Sequence, residues 1–142
     1  MCDVIPTPVV VEYAFQYPDM EKCPQSMMDI NQFDPISVTI PTNGTAQNVL
    51  EASVGVGTAY RFTATYFGST LGYFIDAING TSSDNPCYWF FYYQAPGLPN
   101  PVLSNLGVSN FIIPTSGYSI FMRYEEFKEE HDSEAPANNT VC

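Results

Sequence analysis

The sequence predicts an α+β fold, a sheet with one short helix packed on one face, and three observations carry that expectation. Six segments rich in β-branched and aromatic residues are separated by clusters of Gly, Pro, Asn and Ser, the pattern of strands and turns. Only one stretch, Ala46–Val54, combines helical spacing with a start and a stop signal. A single amphipathic helix cannot cover both faces of a sheet, so one face is expected to stay open.

Cys2–Pro8 reads as an extended lead-in. Val9–Gln16 (VVVEYAFQ) is a strand with Val9, Val11, Tyr13 and Phe15 on one face and Val10, Glu12 and Ala14 on the other. Tyr17–Pro35 is irregular, with Pro18, Cys23, Pro24 and Pro35, and its Met27-Met28 pair suggests a part that packs down. Ile36–Pro41 (ISVTIP) is the second strand. Thr45 is placed to cap Ala46–Val54, where Val49, Leu50 and Ser53 share a face, and Gly55 and Gly57 supply the stop. Tyr60–Tyr66 alternates again.

Leu71–Tyr93 is the densest stretch and reads as two strands, Gly72–Ile78 and Cys87–Tyr93, joined as a hairpin by a loop. All six residues from Tyr88 to Tyr93 are aromatic. Strand alternation sends Tyr88, Phe90 and Tyr92 to one side and Trp89, Phe91 and Tyr93 to the other. One triad can enter a core, and the other needs a second cover: another layer, a ligand or a partner. Gln94–Asn110 is a loop, Phe111–Ile113 a short strand, and Tyr118–Phe127 the last strand. Residues 1–127 are expected to form a single domain, and 128–142 an acidic polar tail that ends in Cys142. The helix face of the sheet is expected to take Val9, Val11, Tyr13, Phe15, Leu50, Ile120, Met122 and Tyr124.

Lys and Arg total 4 against 15 Asp and Glu, for a net charge of −11. A chain this acidic is repelled by phosphate backbones, so nucleic acid is excluded as a partner. No apolar run approaches the roughly 20 residues needed to cross a bilayer, so no membrane insertion is expected. Met1-Cys2-Asp3 lacks the basic and apolar regions of a secretory leader, and the sequence reads as a mature form with an added start residue. The 4 cysteines, at 2, 23, 87 and 142, have no CxxC spacing of a zinc or redox pair. Together with sequons at Asn43, Asn79 and Asn138, they point to a secreted, extracellular glycoprotein with two disulfides.

The only histidine, His131, sits in the acidic tail, and a base or metal ligand there would need a structured pocket around it. With cysteines paired and no second histidine, there is nothing from which to build a metal site or a nucleophile, and no catalytic residue is assigned. Gly55-Val56-Gly57 lacks the third glycine of a phosphate-binding loop. The expectation is a binding protein and not an enzyme. Trp89 suits either a binding anchor or a core, since indole supplies large contact area and one N–H donor.

VVVEYAFQ, ISVTIPTNGTAQNVLEASV, LGYFIDAINGT, YWFFYY and LGVSNFIIPTSGYSIFMRYEEF, in that order over residues 9–127, resemble the C-terminal β-domain of the vitamin B12 carriers transcobalamin, intrinsic factor and haptocorrin. The most specific pieces are Gly72 to Asn79-Gly80, then Tyr88-Trp89, then Gly107 before the last strand. The resemblance implies a β-grasp-like mixed sheet of about five strands. It also implies a cobalamin-capping role, which in the carriers is shared with a larger helical barrel, here taken as absent. The chain differs from the family at Leu71 and Phe90, where Trp and Gln are common, and both changes remove groups that could meet a polar corrin edge.

On this reading the ligand-binding residues are Leu71, Gly72, Tyr73, Trp89, Phe91, Gly107 and Phe111, around the open aromatic face, and the ligand is cobalamin or another flat, partly apolar molecule. The alternative is an extracellular structural or adhesive protein that docks another chain, or its own copy, through that face. In a β-grasp the first and last strands lie parallel and adjacent. That implies disulfides Cys2–Cys87 and Cys23–Cys142, and a bridge from Arg123 to Glu12 and Asp76 on the open face.

Overall fold

A computed structural model of the protein describes residues 8–18, 21–23 and 35–126. In chain order the elements are β1 (Val9–Gln16), β2 (Ile36–Ile40), α1 (Ala46–Val54), a 3-10 turn (Thr58–Tyr60), β3 (Phe62–Tyr66), β4 (Tyr73–Ile78), β5 (Thr81–Ser82), β6 (Cys87–Gln94), β7 (Val102–Leu103) and β8 (Ser119–Glu126). The fold is α+β. A five-stranded mixed sheet runs β2-β1-β8-β6-β7, and a second, three-stranded sheet runs β3-β4-β5. β1 and β8 are adjacent and parallel, and β6 runs antiparallel to β8.

Local chemistry fixes the helix. Thr45 accepts the Asn48 amide while Asn48 Oδ1 accepts the Thr45 amide at 2.8 Å, a reciprocal cap that satisfies two orphan donors. α1 buries Ala46, Val49, Leu50 and Ser53 against the sheet. The register aligns Tyr13 with Ile120, Phe15 with Met122, Trp89 with Tyr124 and Phe91 with Met122, so one face of the sheet carries a continuous apolar layer. All eight residues expected on the helix face are buried, none more than 5 % exposed. The opposite face stays open, with Tyr88, Phe90, Tyr92, Phe121, Arg123 and Glu125 partly exposed.

Several expectations are corrected. Gly72–Ile78 and Cys87–Tyr93 do not form a hairpin, because β4 and β6 belong to different sheets. Asn79-Gly80 instead turns β4 back into the short β5. Phe111–Ile113 contributes only a single bridge, Thr45 to Ile112, and the loop before it holds β7.

The disulfide expectation also fails. Cys23 is bonded to Cys87, with Cα atoms 5.7 Å apart, which rules out both Cys2–Cys87 and Cys23–Cys142. The reason lies in strand direction. β6 opposes β8, and β8 parallels β1, so the start of β6 lies at the exit of β1, where the chain leads to Cys23.

Arg123 does not reach Glu12 or Asp76. Gln16, not Glu12, is in register with Arg123, and its Oε1 accepts Arg123 Nε–H at 2.8 Å. Asp76 lies in the other sheet and accepts the Thr65 hydroxyl at 2.6 Å. The Arg123 guanidinium covers the Tyr92 ring, 4.5 Å from its centroid, and so helps to shield the aromatic triad on the open face. Burial and a hydrogen bond to Glu125 push the Tyr92 phenol above its ordinary pKa and keep it protonated.

Cys2, the Met27-Met28 pair, His131, Asn138, Cys142 and the tail 128–142 lie outside the described residues.

Candidate functional site

The candidate site starts from the N-terminus of α1. Its free amides are taken by the loop that precedes β8: Ala46 N–H donates to Phe111 O at 3.0 Å and Gln47 N–H to Val108 O at 2.9 Å. That loop then holds the β3–β4 connection. Ser109 Oγ accepts Tyr73 N–H at 2.9 Å and donates to Gln47 Oε1 at 2.7 Å, while Asn110 Nδ2 donates to Thr70 O at 2.9 Å. One serine thus ties helix, loop and hairpin together.

Gly72 makes the approach feasible. Its φ is +72°, and a Cβ there would lie 2.4 Å from the Ser109 Cβ. Gly72→Ala is expected to cost about 1–3 kcal/mol from the left-handed backbone alone, with the clash in addition. In urea melts the double variant Gly72→Ala/Ser109→Gly should relieve the clash but lose both Ser109 hydrogen bonds, so it is expected to stay less stable than the parent. A loss below about 0.5 kcal/mol for the single variant would show that the loops shift freely.

Between the docked loops and the main sheet lies a cleft of about 240 Å³. β4 supplies Tyr73, Phe74 and Ile75, β6 supplies Trp89 and Phe91, and the loop supplies Leu106, Gly107 and Val108. Met122 lies on the same buried face and also lines it. A bulge gives β4 its shape: Ala64 pairs with Ile75 and Thr63 with Ala77, which leaves Asp76 as the extra residue and resets the alternation. Ile75 and Ile78 are therefore both buried despite their odd spacing.

Four of the expected ligand residues, Tyr73, Trp89, Phe91 and Gly107, meet in this cleft. They do not lie on the open face of the sheet. Trp89 and Phe91 point to the core side, and the open-face triad is Tyr88, Phe90 and Tyr92. Trp89 is 4 % exposed; its Nε1–H donates to Thr81 O at 2.8 Å, and its ring centroid lies 5.0 Å from that of Tyr124. Leu71 and Gly72 sit beside the cleft mouth on the hairpin loop, and Leu71 is 65 % exposed. Phe111 does not line the cleft. It is packed under the sheet, 4.8 Å from the Tyr93 ring and 5.2 Å from Phe91.

Sequence reading missed Ile75, Leu106, Val108, Met122 and the bridging Ser109. Leu106 and Val108 flank Gly107 and Ser109 stands two residues after it, so these three lay beside a position already singled out. The mouth is flanked by an apolar hairpin tip, where Tyr66, Phe67, Leu71, Tyr73 and Phe74 are all exposed. Of the sequon asparagines, Asn43 is exposed and Asn79 is buried. No helix among the described residues is long and apolar enough to cross a membrane.

No protein-family model matches the sequence, and no curated protein matches it by sequence. Solved structures do match. One is haptocorrin in complex with Cbi, with a TM-score of 0.62 and 18 % identity over 89 % of this chain. The match covers 27 % of the haptocorrin chain, so the common part is a fraction of that protein. The likeness shows a common fold.

Proposed function

We propose that this chain is a secreted, non-enzymatic binding module that receives a flat, partly apolar ligand at the cleft beside the β3–β4 hairpin, with cobalamin the ligand that the likeness to haptocorrin suggests. The observation that carries the reading is the cleft itself: an apolar recess floored by the only tryptophan and lipped by exposed Leu71, Tyr73 and Phe74. Its volume, about 240 Å³, falls below the roughly 300–1,000 Å³ of pockets that engulf small ligands. It takes an edge or a substituent, and the rest of the ligand lies across the hairpin. A disulfide that joins the segment after β1 to the start of β6 and the exposed sequon at Asn43 support an extracellular setting.

Titration with cobalamin tests the proposal, with corrin absorbance and Trp89 fluorescence as two independent signals. Both are expected to change at micromolar ligand. Truncating Leu71 and Tyr73 together to Ala should weaken binding about ten-fold or more, the equivalent of 1.4 kcal/mol. No change in either signal would overturn cobalamin as the ligand. A second reading, a structural or adhesive protein that docks another chain, is supported by the five exposed apolar side chains of the hairpin tip.

A further inference from the structure

β3 is an edge strand: β4 pairs with one side, and no described strand pairs with the other. Natural edges are usually blunted by charge, proline, a bulge or a cover. β3 has none of the first three, since it reads Phe62-Thr63-Ala64-Thr65-Tyr66 and the bulge beside it belongs to β4. Its order is also near-palindromic. An antiparallel partner of the same sequence, centred on Ala64, would set Thr63 opposite Thr65, Phe62 opposite Tyr66, and Arg61 opposite Phe67. Each is a favourable cross-strand pairing: hydroxyl with hydroxyl, ring with ring, and cation with ring.

We propose that the free edge of β3 pairs with the β3 of a second copy, about a two-fold axis at Ala64, to join two three-stranded sheets into one of six strands. A two-fold axis requires a self-complementary patch, and this strand is one. β2, the other edge strand of similar length, reads Ile-Ser-Val-Thr-Ile and is also symmetric, but its Val38 and Ile40 are already buried. β3 instead ends in Tyr66 with Phe67 next to it, 56 % and 55 % exposed, so pairing there covers apolar surface as well as backbone. The contact uses the strand edge, and none of the residues that line the cleft belongs to β3.

Sedimentation equilibrium from micromolar to sub-millimolar concentration tests this. The unmodified chain is expected to reach twice its 15.8 kDa mass. Thr63→Lys/Thr65→Lys and Thr63→Glu/Thr65→Glu should each stay at one chain mass, because like charges then face each other. An equimolar mixture of the two should regain the doubled mass. Near-UV circular dichroism verifies that each variant is folded. A second measurement needs no variant: hydrogen exchange of the unmodified chain should show β3 amides losing protection on dilution, while β2 amides do not. A wild type that remains at one chain mass, a folded lysine variant that still dimerises, or concentration-independent exchange in β3 would each overturn the proposal.

Discussion

Replacing Trp89 with Ala is expected to destabilise the domain by about 3–5 kcal/mol, the range for deleting a buried aromatic side chain. The indole packs near Phe15, Tyr17 and Tyr124, at centroid distances of 6.2, 5.5 and 5.0 Å, and its N–H reaches across to Thr81 O in the second sheet. Truncation therefore opens a cavity between the two sheets and removes a hydrogen bond that joins them. Trp89→Phe keeps most of the ring area and loses the donor, and it should cost less, about 1 kcal/mol for the hydrogen bond together with a small packing term. Urea melts followed by far-UV circular dichroism measure both, since the fluorophore is gone. A loss below 1 kcal/mol for the Ala variant would mean that the sheets are not joined through this residue.

The second large effect is expected from Cys23→Ala/Cys87→Ala. The bridge spans a sequence separation of 64 residues. A loop of that size gives a stabilisation on the order of 4 kcal/mol in the chain-entropy model, because the open unfolded chain has more conformations to lose. The local ion pair that closes the same corner, Lys22 to Glu126 at 3.4 Å, is solvent-exposed and contributes little beside it. Peptide mapping without reduction should yield the Cys23–Cys87 peptide, and thermal melts of the double variant should show the loss of stability. A double variant as stable as the parent would place the stability of this corner in packing alone.

The sequence by itself determined the elements whose signals are local. The helix from Ala46 to Val54 follows from its cap, its face and its glycine stop, all within a dozen residues, β1 and β8 follow from alternation, and β6 follows from its aromatic run between turn residues. The apolar face of the main sheet was legible for the same reason, since a period of two assigns every residue of a strand to one side or the other. Tertiary structure alone decided which strands are partners. Nothing local to Gly72–Ile78 and Cys87–Tyr93 says that a two-residue strand, Thr81–Ser82, takes the hairpin position and sends β6 to another sheet. The Cys23–Cys87 bond depends on that relative direction, and so does the partner of Arg123. The cleft was half legible. Its aromatic residues stood out by composition, but the bulge at Asp76 and the bridge through Ser109 join residues 36 and 62 positions apart in sequence or reset a period within one strand. Composition can nominate residues for a site, but only the folded chain brings distant loops to within hydrogen-bonding distance, because that proximity comes from packing and not from sequence spacing.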